Sequence, residues 1–211
     1  MPAALLPAMR SRLRIDLKDD PASRWTDAVL DRHIARTVSE YGLVRPLEQR
    51  TNLPTTNGSR MLDISSLTDL VLIEAIEYPL DKYPRLWAPF THFADTCELL
   101  IDEVPNGDDA RAYWHSAHTL SASASTIRIE DEEIILTGAA AYALLEYGQY
   151  GVDRLNLGGE DVDSEYHRQG NAYMRRYREM LDDLRRRGGV ISARLYTPVE
   201  SAGERDVVSG P

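Results

Sequence analysis

The sequence predicts an α+β fold: a small bundle of three main helices, an antiparallel β insertion between the first and second, an extended N-terminal arm and a C-terminal tail. Three observations predict it. In three separate stretches apolar residues recur every three or four positions, the pattern of helices with one buried face. Between the first two stretches lie short apolar runs divided by turn residues, the pattern of antiparallel strands. Prolines interrupt the first 22 residues, and a Gly-Gly pair follows the last helical stretch. With 211 residues, 43% of them hydrophobic, the chain can bury a core.

The elements follow in order. Residues 1–22 read as an arm: Pro2, Pro7 and Pro21 break regularity and Asp19-Asp20-Pro21 signals a turn. Leu13, Ile15 and Leu17 alternate with charged residues, which predicts a short half-buried strand or an extended docking segment. The first helix is expected over residues 26–41. Thr26 can cap it, Asp27 and Asp31 complement its dipole, and Trp25 and Leu30 have staple spacing. Leu30, Ile34, Thr37, Val38 and Tyr41 form its core face, and Gly42 suits the position just past its end.

Residues 46–120 change character. Asn57-Gly58 is a two-residue hairpin signal. Strands are expected over 70–78, 90–93, 96–101 and 110–115, with the Pro105-Asn106-Gly107-Asp108 turn between the last two. A small sheet, a sandwich or a barrel would each satisfy this spacing. Residues 121–125 are a small polar connector.

The second helix is expected over 130–150. Four acids, Glu130 to Glu133, occupy its first turn, where the dipole favours negative charge. Ile134, Ile135, Ala139, Tyr142, Leu145 and an alanine run make it apolar around much of its circumference, as a central core helix would be. Residues 156–160 read as a loop. The third helix is expected over 163–187, with Tyr166, Gly170, Tyr173, Tyr177, Met180, Leu181 and Leu184 on one face and Arg185, Arg186 and Arg187 at its end. Gly188-Gly189 should end it, leaving a strand-like 190–196 and a flexible 197–211. The domains expected are a helical unit of 1–45 and 121–189, a β insertion of 46–120, and a docking tail of 190–211.

Charge and composition narrow the function. Net charge is −10, and residues 48–135 carry all of it, with 16 acidic and 6 basic side chains. Such a chain is a poor nucleic-acid binder, because phosphate contacts need cations that displace counterions. Arginine outnumbers lysine 22 to 2. The single cysteine, Cys97, excludes an internal disulfide and a cysteine-based zinc site. No apolar run approaches the roughly 20 residues that span a bilayer, and no basic stretch precedes the first apolar one. The expectation is a soluble protein folded inside a cell, without a membrane contact.

No catalytic constellation is present in the sequence. His115 and His118 stand three apart with His92 elsewhere, but HExxH is absent. Cys97 reads as a small core residue rather than a nucleophile with His92 as base. No GxSxG, P-loop or dinucleotide fingerprint occurs, and Leu157-Gly158-Gly159-Glu160 lacks a preceding strand. Glu132 and Glu133 point in different directions on a helix and read as capping charges. The tyrosines of the third helix have packing spacing. No cofactor, metal or catalytic residue is expected.

One succession of segments carries a resemblance. Leu13-Arg14-Ile15-Asp16-Leu17 is followed by Asp20 and Trp25-Thr26-Asp27, then Ile34 to Tyr41, then Ile76-Glu77-Tyr78-Pro79. Tyr113-Trp114-His115-Ser116-Ala117-His118, Ser125-Thr126-Ile127 and Glu133 to Ala143 come next, and a basic, tyrosine-containing helix closes the set. Over residues 12–187 this order resembles the head–tail connector (adaptor, or neck) proteins of long-tailed bacteriophages and related viruses. The resemblance implies a structural protein of the virion neck, assembled in the host cytoplasm. It implies a homo-oligomeric ring, a dodecamer, beneath the portal protein. It further implies contact with the next neck component (a stopper, tail terminator or tail tube) and passage of DNA through the lumen, without specific binding, during genome ejection. Portal docking would fall to the C-terminal segment, here Val190, Ile191, Leu195 and Tyr196 with Arg185, Arg186 and Arg187. The alternative is an enzyme or ligand-binding module with a site on the β insertion, lined by His92, Trp114, His115 and His118.

Overall fold

Leu6, Met9 and Leu13 recur at helical spacing, and a helix is what they form. The computed structural model describes residues 3–19, 22–152 and 162–192. The fold is mixed α and β, with four α-helices and two antiparallel sheets. The helices are α1 (Leu6–Asp16), α2 (Asp27–Val44), α3 (Glu132–Val152) and α4 (Val162–Ser192). The strands all lie between α2 and α3: β1 (Leu47–Pro54), β2 (Met61–Asp63), β3 (Leu70–Glu77), β4 (Trp87–Ala88), β5 (Phe90–Phe93), β6 (Thr96–Leu99) and β7 (Asp109–Ser116).

α1 corrects the expectation of an extended arm and of three main helices. Met9 and Leu13 are fully buried, whereas Ile15, the middle residue of the supposed strand alternation, is 72% exposed. Pro7 sits in the first turn, where its missing N–H costs nothing. Arg10 pairs with Asp27 and Asp31, and Arg14 with Asp19 and Asp27, so the arginines fasten α1 to the entry of α2.

α2 starts where expected, with Thr26 Oγ1 accepting from the Val29 N–H at 3.4 Å. It does not stop at Gly42. The helix continues to Val44 and ends at Arg45 (φ −136°, ψ 78°), because Pro46 disfavours the helical conformation of the residue before it. Gly42 is instead a buried contact beside His118. α3 follows a single 3-10 turn, Ile129–Asp131. It is the central helix, buried at Ile134, Ile135, Leu136, Ala139, Ala140, Ala141, Ala143 and Leu144. α4 packs Tyr177 and Leu184 into the same cluster.

The end of α4 is a second correction. Its backbone passes through Gly188-Gly189 and stays helical to Ser192, so Val190 and Ile191 lie on a helix rather than on a strand. Glycine weakens a helix by about 1 kcal/mol relative to alanine but keeps its N–H donor, so it need not end one. The loop expected at 156–160 and the tail from residue 193, including Leu195 and Tyr196, lie outside the described residues.

α2 and α4 approach α3 at Gly138. A Cβ there would lie 2.5 Å from Thr37 Cγ2 and 2.8 Å from Tyr177 Cε2. Gly138→Ala gains about 1 kcal/mol of helix propensity and loses about 1–3 kcal/mol to overpacking, so a net loss of stability is expected. A lower urea midpoint is the check; a raised one would show that Thr37 and Tyr177 give way freely.

The strands form one sheet of order β1-β7-β3-β4 and one of order β2-β6-β5. Between them they bury a cluster distinct from that of the helices, including Leu53, Leu62, Ile76, Leu99, Ala112 and Trp114. Trp114 Nε1 donates to Thr51 Oγ1 at 3.0 Å. Asn57-Gly58 is not a hairpin turn: β1 pairs with β7 and β2 with β6, so this turn passes the chain between sheets. Gly58 (φ 80°) anchors it by donating its N–H to Pro105 O at 2.9 Å. The tight hairpin is β5–β6, turned through Ala94 at φ 50°.

Candidate docking surfaces

Three carboxylates, two of them buried, tie the helices together. Asp19 accepts from the Ser23, Arg24 and Trp25 N–H groups at 3.0, 2.9 and 3.2 Å, and from Arg14 at 2.8 Å. Asp131 accepts from Tyr41 Oη at 2.7 Å and Arg45 at 2.9 Å, joining the end of α2 to the start of α3. Half-buried Glu40 accepts from Tyr142 Oη at 2.7 Å and Tyr177 Oη at 3.1 Å, with the Arg36 guanidinium 3.8 Å from the Tyr142 ring centre. Burial, reinforced by these carboxylates, raises the tyrosine pKa at 41, 142 and 177. These groups hold the bundle; none opens onto a pocket of reactive side chains.

The four residues of the alternative site are engaged separately. His92 Nε2 donates to Ala94 O at 2.8 Å. His115 Nε2 stands 3.4 Å from Glu74 Oε2 on one face of β7, while Trp114 turns into the core between the sheets. His118 Nε2 donates to Arg45 O at 2.8 Å, and its Nδ1 lies 3.0 Å from Thr126 Oγ1. Among the described residues no group of three or more His, Cys, Asp or Glu is placed to hold a metal ion. Burial pushes the Cys97 thiol up to about 11, so it is protonated at neutral pH.

His118 is the bolt between the helices and the sheets, with its ring 4.9 Å from that of Tyr41. Burial lowers its pKa, and it lowers that of His33 on α2 as well. Glu146 Oε2 lies 2.7 Å from His33 Nε2, out of hydrogen-bond alignment, and offsets only part of that shift. Both histidines are therefore held neutral when folded but bind protons near pH 6.5 when unfolded. Their stabilisation is complete above about pH 6.5 and is lost as pH falls below it toward the folded values. Urea midpoints should drop between about pH 7.5 and 5.5, and His118→Gln, whose longer amide reaches the Nε2 position and can still donate to Arg45 O, should flatten the profile. A wild-type profile flat across this window would contradict the assignment.

Among the described residues, two surfaces bear on the expected partners. In the final third of α4, Arg185, Arg186 and Arg187 are exposed; Arg185 meets Asp182 at 3.3 Å and Arg186 meets Asp183. Between the β3–β4 and β6–β7 connections lies an acidic groove of about 770 Å³, lined by Asp102, Glu103, Asp108 and Asp109 with Tyr78 and Lys82. These carboxylates belong to the acidic stretch singled out in the sequence, but their gathering in one groove depends on long-range strand pairing that spacing does not reveal.

No family model matches the chain, and no curated protein matches it.

Proposed function

We propose that the chain is a structural head–tail adaptor without catalytic turnover, forming an oligomeric ring beneath a viral portal and extending the DNA channel toward the tail. The order of segments carries this reading. A helical bundle with its own core is interrupted in sequence between α2 and α3 by strands with a second core, and a long helix carrying Arg185, Arg186 and Arg187 in its final third closes it. That arrangement supports a compact adaptor bundle bearing a β insertion, as the resemblance implies. The exposed acids of the 770 Å³ groove suit a wall along which DNA slides, because like charge prevents sticking within about a Debye length, ~8–10 Å. Arg185, Arg186 and Arg187, followed by the segment holding Leu195 and Tyr196, are the portal-docking end.

Co-sedimentation with the portal protein of its own virus tests this reading. The full chain should pellet with portal rings, and a chain ending at Ser192 should pellet far less while keeping its helix content and melting temperature. A large fall in melting temperature would show that residues 193–211 belong to the core. Undiminished pelleting would move portal docking elsewhere on the protein.

A further inference from the structure

Asparagine followed by glycine is a reactive pair, because glycine has no side chain to keep its nitrogen away from the asparagine amide carbon. The chain holds two such pairs, Asn57-Gly58 and Asn106-Gly107, both in exposed turns that the fold sets against each other. A Cβ on Gly107 would lie 3.8 Å from Asn57 Cβ. Attack by the glycine nitrogen on Cγ needs that nitrogen unengaged, and donors aimed at Oδ1, where negative charge develops, assist it. The two turns differ on both counts.

At Asn57 the nucleophile is occupied, because the Gly58 N–H donates to Pro105 O at 2.9 Å. The Asn57 side chain is exposed and, among the described residues, accepts from no protein donor. At Asn106 the arrangement is reversed. Its Oδ1 accepts from both Tyr78 Oη and the Asp108 N–H, each at 3.1 Å. Tyr78 Oη is itself oriented by accepting from the Asn106 N–H at 3.2 Å, and Asn106 Nδ2 donates to Asp108 Oδ2 at 2.8 Å. Gly107, at φ 96°, donates its N–H to nothing among the described residues.

We propose that Asn106-Gly107 is a self-modifying turn, at which the folded chain promotes conversion of Asn106 to aspartate or isoaspartate. The Gly107 nitrogen gives its proton to solvent and bonds to Asn106 Cγ, while Tyr78 Oη and the Asp108 N–H hold the oxyanion. The Cγ–Nδ2 bond then breaks, and the nitrogen takes up solvent protons and leaves as ammonia. Water opens the resulting succinimide at either carbonyl, so the net reaction consumes one water and releases one ammonia. The product carboxylate joins Asp102, Glu103, Asp108 and Asp109 in the acidic groove, which loses the amide donor to Asp108 as it gains a charge. This inference does not depend on the ring reading.

The test ages the full chain in heavy-oxygen water at mildly alkaline pH, folded and in urea, and follows both turns by peptide mapping and mass spectrometry. In the folded chain Asn106 should convert at least about fivefold faster than Asn57, and in urea the two rates should come within about twofold. Tyr78→Phe keeps the ring and removes one donor to Oδ1, so it should slow Asn106 roughly fivefold, the rate equivalent of one hydrogen bond, and leave Asn57 unchanged. Asn57 converting as fast as Asn106 in the folded chain, or neither converting until urea is added, would overturn the proposal. So would a folded Tyr78→Phe chain in which Asn106 converts faster, because the hydrogen bonds would then lock the amide rather than activate it. If Tyr78→Phe unfolds the chain, the ratio of the two rates in the wild type still decides.

Discussion

Asp131→Ala should cost about 3–5 kcal/mol, the range for removing one partner of a buried charge pair. Asp131 is 4% exposed and is the common acceptor for Tyr41 Oη and Arg45. Alanine would strand a fully buried tyrosine hydroxyl and leave the Arg45 guanidinium, only 24% exposed, without its carboxylate. It would also unfasten α2 from α3 at the point where the chain leaves the helices for the strands. Asp131→Asn keeps one acceptor oxygen for the tyrosine and should cost roughly half as much, because the hydrogen bond survives and the charge pairing does not. Urea denaturation of the two variants is the check. Equal losses would mean that the charge, not the retained acceptor oxygen, carries the whole effect; a loss under about 1 kcal/mol for alanine would mean that water replaces the carboxylate.

Asp19→Ala should be the second most damaging change, at about 3 kcal/mol or more. The side chain is fully buried and collects three backbone N–H groups and Arg14. Those N–H groups belong to residues 23–25, the approach to α2, and Trp25 itself is 3% exposed with its Nε1 donating to Ala143 O at 3.3 Å. Losing the carboxylate therefore orphans donors and loosens the seat of Trp25 against α3. Near-ultraviolet circular dichroism should lose tryptophan signal alongside the drop in urea midpoint. A preserved spectrum with an unchanged midpoint would show that α1 holds this corner without Asp19.

The helix faces were legible because a 3.6-residue period records directly which side is buried. Leu30, Ile34, Val38 and Tyr41 on α2, and Tyr177 and Leu184 on α4, lie in the core as their spacing predicts. α1 was not legible for the same reason in reverse. Leu13, Ile15 and Leu17 alternate over only five residues, too short a window to separate a strand from a helix. β1 was invisible because it is an edge strand: Glu48, Gln49, Arg50 and Asn52 are exposed, and of its residues only Leu53 is buried. The polar anchors were hidden for a different reason. Glu130 to Glu133 read as dipole charges, yet Asp131 and Glu132 are buried, with partners 86 to 128 residues away in the chain. Local charge pattern cannot announce a long-range acceptor.

Negative-stain imaging of the purified chain mixed with portal rings tests the central claim most directly. A second ring of this chain, stacked coaxially on one face of the portal and absent from portal alone, is the predicted image. Bare portal rings beside free monomers, at concentrations where the chain is in large excess, would contradict it.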